Sequence, residues 1–219
     1  MTDRLTQKQI EEINRLQKKY FNDKVDLFEA PLPKGVPERL KTTVKASGLR
    51  SGERVLDVGT GTGILIPYIL KYRPSEIHAC DLAENMLRRV KGRFPYVITH
   101  LCDVRDLLLP DDSLDVAFIN ACFSNIMDKS KSLNNLYRLL SRKGRLIISH
   151  PLGRDFIIEL KKHTPLHLDL LPDEAGARGL FERHGFEIVS FRDEPLFYIF
   201  VAVTTKQDEP SDTNHKDLG

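Results

Sequence analysis

Short runs rich in Val, Ile and Leu, at 54–58, 76–80, 96–102, 114–120 and 144–150, alternate along this chain with longer segments of helical periodicity. A parallel strand covered on both faces reads as such a near-continuous apolar run, whereas a strand with one wet face alternates strictly. Between the runs the helical pattern is clearest at Leu133, Leu136, Tyr137 and Leu140, spaced i, i+3, i+4 and i+7, with Asp128 placed to cap the segment. Strand and helix in regular succession predict a parallel sheet with helices on both sides, an α/β fold. The alternation stops near the carboxyl end. There 186–191 and 197–204 are two strands separated by only Arg192-Asp193-Glu194-Pro195-Leu196, a link too short for anything but an antiparallel hairpin.

Two helical segments precede the first strand. Residues 1–24 contain Thr6-x-x-Gln9, the pattern of a capping box, and an apolar stripe through Ile10, Ile13 and Tyr20. The stretch Ala30-Pro31-Leu32-Pro33-Lys34-Gly35 breaks that helix, and a second one over 36–46 leads to the turn Ser47-Gly48. Segment 64–72 is predicted to be helical, and 205–219, almost without apolar residues, a disordered tail. The reading is one domain over 1–204, with 1–47 as a helical lid. At 219 residues such a domain has a core that needs neither disulfide nor structural metal.

Charge and cysteine usage narrow the function classes. The 33 basic and 31 acidic residues leave a net charge of +2, spread along the chain, which supplies no dedicated nucleic-acid tail. Three cysteines with no C-x-x-C pair point to a reducing compartment. No run approaches the ~20 apolar residues of a membrane span, and the amino-terminal stretch lacks the apolar core of a secretory signal. A cytoplasmic protein, monomeric or homodimeric, is expected.

The chemistry concentrates at strand ends. Val55-Leu56-Asp57-Val58-Gly59-Thr60-Gly61-Thr62-Gly63 is a strand running into a glycine-rich turn, where a ligand can touch backbone. A carboxylate at Asp57, inside an apolar strand, is costly unless a donor or a cation meets it. The second strand ends in Ala79-Cys80-Asp81, eighteen residues beyond Gly63, close to the ~20 at which a ribose-binding acid follows a glycine turn. The third ends in Leu101-Cys102-Asp103-Val104, so three acids fall at carboxyl ends, where open α/β sheets bind ligands.

These motifs, with Asp103 to Asn120 and Leu136-Tyr137-Arg138 to His150, resemble in order those of the class I S-adenosylmethionine-dependent methyltransferases, most of all the ubiquinone/menaquinone branch; the likeness spans roughly 51–150. It implies a Rossmann-like seven-stranded methyltransferase sheet of order 3-2-1-4-5-7-6, strand 7 antiparallel, and S-adenosyl-L-methionine as cofactor. Carried over, it places Asp57, Gly59 and Gly61 near the methionine end, Asp81 on the ribose, Asp103 with the Val104 backbone at the adenine amino group, and Asn120 beside the methionine moiety, and it counts Thr60, Gly63 and Leu82 among the cofactor-binding residues. The glycines at 59, 61 and 63 depart from the G-x-G-x-x-G of nicotinamide-dependent dehydrogenases. Asn120-Ala121-Cys122-Phe123 also departs from the Asn/Asp-Pro-Pro-Tyr/Phe of amino-base methyltransferases, which counts against methylation of adenine or cytosine amino groups. A small-molecule acceptor is expected, with an RNA or protein methyltransferase and a non-catalytic S-adenosylmethionine-binding protein as the alternatives.

His150, ending the fifth run, is the candidate catalytic residue. It could take a proton from a hydroxyl or thiol acceptor, or be satisfied by loop backbone. His163, His167 and Asp169 have a spacing that could hold a metal, but Pro165 interrupts it and no metal is expected. Cys80, Cys102 and Cys122 are read as packing residues rather than nucleophiles. Tyr20 and Phe21 are expected to cover the cofactor, and 151–171 the acceptor.

Overall fold

A computed structural model describes residues 5–207. The strands are β1 (Arg54–Val58), β2 (Glu76–Asp81), β3 (Ile98–Leu101), β4 (Leu114–Asn120), β5 (Leu140–His150), β6 (Phe186–Glu194) and β7 (Phe197–Thr204). They form one seven-stranded sheet of order β3-β2-β1-β4-β5-β7-β6. Pairing is parallel from β3 through β5, and β7 runs antiparallel to both β5 and β6.

The helices are α1 (Gln7–Asp23), α2 (Val36–Ala46), α3 (Ile66–Ile69), α4 (Glu84–Arg93), α5 (Lys129–Leu139), α6 (Gly153–His163) and α7 (Glu174–Glu182). The period of two along each central strand splits the core into two layers. Leu56, Ala117, Ile119, Leu146 and Ile148 pack with Leu133 and Leu136 of α5 and Phe181 of α7. Their neighbours Val55, Val116, Phe118 and Ile147 pack with Leu40 and Val44 of α2, Ile66 and Ile69 of α3, and Val90 of α4. Both faces of the sheet are covered, which is why β4 is apolar without a break from Val116 to Ile119.

Several boundaries differ from the sequence reading, each for a physical reason. β3 is shorter than 96–102 and half exposed, because it is an edge strand with one neighbour. The other edge, β6, extends through Arg192, Asp193 and Glu194 to a two-residue link at Pro195 and Leu196; charged side chains are tolerated on a strand that faces water. β5 begins at Leu140, which pairs with Leu114 ahead of a bulge, instead of at Gly144. The helix expected over 64–72 is only α3 and a 3-10 turn, since Gly63 lies at φ +81° and Pro67 sits in the first turn. Thr6 and Gln9 do close a capping box on α1, and Asp128 caps α5.

Thr205 and Lys206, at the start of the expected tail, are tied down. Thr205 N–H donates to the Gly185 carbonyl at 2.8 Å, and Lys206 Nζ reaches the Arg138 carbonyl at 3.2 Å. Residues 1–4 and 208–219 of the lid and tail readings lie outside the described residues. Among the described residues no helix is long and apolar enough to cross a membrane.

Candidate functional site

The carboxyl ends of β1, β2, β4 and β5 open into a cavity of about 570 Å³, within the range of small-molecule sites. Asp57, Gly59, Thr60, Gly61, Asp81, Leu82, Asp103, Val104, Asn120 and His150 all line it. Gly63 does not: a Cβ there would meet Ile66 and Phe94, so this glycine serves the packing of the turn against α3 and α4.

The first turn is built on β2. Gly59 N–H donates to the Cys80 carbonyl at 2.8 Å and Thr60 N–H to the same oxygen at 3.2 Å. Gly59 is at φ +60°, and a Cβ on it would fall 2.1 Å from Cys122 Sγ. Gly61, at φ +55°, has nothing within 4 Å of where a Cβ would be, so its backbone borders open cavity.

Each acid is held differently. Asp57 is buried and receives the Thr60 hydroxyl at 2.7 Å. Burial, only partly offset by that bond, pushes its pKa up to about 7. Asp81 receives Gly61 N–H on one oxygen at 2.9 Å and Ala83 N–H on the other at 2.8 Å. Its pKa is also raised by burial, against the pull of those amides. Each oxygen keeps a lone pair, enough for two hydroxyl donors. Asp103 receives Arg105 backbone N–H at 3.0 Å and the side-chain amide of Asn14, from α1, at 2.7 Å, and it pairs with the Arg105 guanidinium at 3.2 Å.

The amino-terminal segment reaches the cavity at several points. Tyr20, Phe21, Leu27 and Phe28 line it, Thr62 Oγ1 donates to the Phe28 carbonyl at 2.7 Å, and Asn22 binds Asn85 at the start of α4. From the other side come Phe156, Leu160, Leu166 and Leu168. Asn14, Gln17 and Glu29 were not found from sequence. The signal for the first two was present, because Ile10, Asn14 and Gln17 share one face of α1, and polar residues on an inward face need partners.

His150 is 5% exposed and stacks on Phe156 with centroids 5.4 Å apart. Its Nδ1 accepts Leu152 N–H at 3.3 Å, and burial lowers its pKa to about 4. Loop backbone therefore occupies one ring nitrogen, as in the second of the two readings open from sequence. Burial pushes the Cys102 thiol up to about 11 and those of Cys80 and Cys122 upward as well, so these cysteines stay protonated packing groups. His163 pairs with Glu159 at 2.9 Å, and among the described residues no His/Cys/Asp/Glu cluster is placed to hold a metal.

Among the described residues that line the cavity, the charged side chains, Glu29, Asp57, Asp81 and Asp103, are all acidic. Such a wall suits a cationic ligand that also carries hydroxyls.

Residues 56–148 match the family model described as methyltransferase domain. The malonyl-[acyl-carrier protein] O-methyltransferase of Halorhodospira halophila is 36% identical over 112 residues, 49% of this chain and 38% of that protein. The ubiquinone/menaquinone biosynthesis C-methyltransferase of Vibrio campbellii is 33% identical over 134 residues, 57% of this chain and 52% of that protein. The chain thus spans about half the length, or less, of these curated relatives. Among solved structures, an S-adenosylmethionine-dependent methyltransferase from Aquifex aeolicus shares the fold with a TM-score of 0.66 at 21% identity, over 84% of this chain and 98% of that one. By that domain match over 56–148 and by the order of its sheet, the chain is similar to the S-adenosylmethionine-dependent methyltransferases, the ubiquinone/menaquinone biosynthesis C-methyltransferases among them.

Proposed function

We propose that this protein transfers the methyl group of S-adenosylmethionine to a small-molecule acceptor. The observation that carries the reading is the convergence of Asp57, Asp81 and Asp103 on one cavity beside the open backbone of Gly61. The donor set fits the cofactor. Asp81 offers two oxygens to the ribose hydroxyls, Asp103 and the Val104 backbone serve the adenine edge, and Asp57, Gly59, Thr60, Gly61 and Asn120 surround the methionine end. Gly63 supports the turn from behind.

The cofactor supplies an activated methyl group on a good leaving group. The protein's part is to bind, orient and exclude water. Residues of α1 and the 25–33 segment on one side, and of α6 and 164–168 on the other, wall the cavity with mostly apolar side chains. Walls of this kind favour a small, largely apolar acceptor over a polymer, which needs an open face.

Calorimetric titration with S-adenosylhomocysteine tests the first half; absence of heat at protein well above micromolar removes the proposal. Transfer of labelled methyl to a small product in a cell extract, dependent on Asp57, tests the second. Label appearing only in RNA or protein overturns the acceptor class, and binding without any labelled product favours a non-catalytic role.

A further inference from the structure

The polarity of His150 carries a consequence for the acceptor. A ring nitrogen that accepts a hydrogen bond cannot hold a proton, and Nδ1 accepts Leu152 N–H. The ring is neutral, because burial without a charged partner lowers its pKa to about 4. Its single proton therefore sits on Nε2, which has no partner among the described residues while the ring lines the cavity. Stacking on Phe156 holds the ring plane.

Asn120 shows the same polarity. The Ser149 hydroxyl donates to its Oδ1 at 2.9 Å, both side chains being buried, so the amide oxygen is taken and the NH2 group is left for the cavity that Asn120 lines. Two neutral donors thus stand on a wall whose charged members are all acidic.

We propose, resting on the methyl-transfer reading, that His150 is a hydrogen-bond donor through Nε2–H to an oxygen of the methyl acceptor, with Asn120 Nδ2 as a second donor and Ser149 as its positioning residue. The site then selects acceptors that present a carbonyl or ring-conjugated oxygen near the methylated atom. Thiols and amines without such an oxygen leave the donors unpaired in an apolar cavity, which disfavours them. His150 binds and orients; it is not the proton acceptor.

Long-range nitrogen–proton NMR on uniformly labelled protein, with and without S-adenosylhomocysteine, reads the tautomer directly, and His150→Gln assigns the signal. At pH 7 a single proton on Nε2 is expected; a proton on Nδ1, or on both nitrogens, overturns the inference. The labelled-methyl assay gives a second readout. His150→Phe keeps the stacking surface and removes the donor, and should lower product about tenfold, the worth of one hydrogen bond to a reacting group. His150→Gln restores an N–H donor without a ring base and should recover most of that loss. If the Gln variant is as impaired as Phe while both melt like wild type, the ring acts as a base and the proposal fails. Failure of the wild type to bind S-adenosylhomocysteine would sink the methyltransferase reading alone, leaving the tautomer measurement to judge this one.

Discussion

Asp81 and the two glycines before it divide the binding work in ways that mutation separates. Asp81→Ala removes an acceptor for two ribose hydroxyls and should weaken S-adenosylhomocysteine binding by about 2 to 3 kcal/mol by calorimetry, the scale of hydrogen bonds to a charged group. Gly59 and Gly61 look equivalent in sequence, but their surroundings differ. In Gly59→Ala the new methyl would overlap Cys122 Sγ at 2.1 Å, and the residue would be forced to keep φ +60°. Overpacking and backbone strain together should destabilise the fold by about 2 to 4 kcal/mol in urea unfolding. Gly61→Ala meets no atom within 4 Å and should lose only about 1 kcal/mol of stability, from its φ of +55°. Its methyl projects into the crevice, so the larger effect there should be on ligand binding. Equal stability losses at the two positions would show that the turn is not built as described.

The amino-terminal helix is held by its cap and by a few polar contacts rather than by a deep apolar face. Of its residues only Ile10 and Gln17 are buried, and Leu16 is 45% exposed. Thr6→Ala removes half of the capping box and should cost about 1 kcal/mol. Because α1 has so little buried surface, the loss should appear as faster amide hydrogen exchange in α1, with the global melting temperature nearly unchanged. A large drop in global stability would mean that α1 is part of the core. β3 and β6 make the complementary point about strands. Both are edges, and their sequence signals were blurred because one covered face and one partner relax the demand for apolar residues. β4 lies between two strands and two helix layers, and its run of seven residues was legible to its ends.

At the scale of the whole molecule, two buried groups oppose each other in the pH dependence of stability. His150 is held near pKa 4, below an ordinary 6.5, so its contribution is present above pH 6.5 and lost as pH falls toward 4, up to about 3 kcal/mol. Asp57 is raised from 3.8 to about 7, so its contribution is present below pH 3.8 and lost as pH rises through 7, about 4 kcal/mol. Between pH 4 and 6.5 the two nearly cancel. Asp57→Asn removes one side of the balance. Its urea midpoint should fall on acidification from pH 6.5 to 4, relative to that of wild type, whereas a parallel pair of profiles would contradict the burial of these groups.

How much of this was legible in advance depends on the range of the interaction involved. Strand type, the parallel sheet and the placing of an acid at the end of each of the first three strands follow from periodicity and chain order, which are local. The assignment of the strand order rested on a family likeness, and the sheet has that order. Other properties depend on residues far apart in the chain: Cys122 against Gly59, Asn14 on Asp103 across 89 positions, Ser149 on Asn120 across 29. No spacing rule reports such contacts. From sequence alone, Asp57, Asp81, Asp103 and His150 could be nominated as facing one edge, because connectivity delivers strand ends to the same side. Only the folded chain decided which glycine borders the cavity, which supports the turn, and which nitrogen of His150 meets loop backbone, since each is settled by what an atom touches.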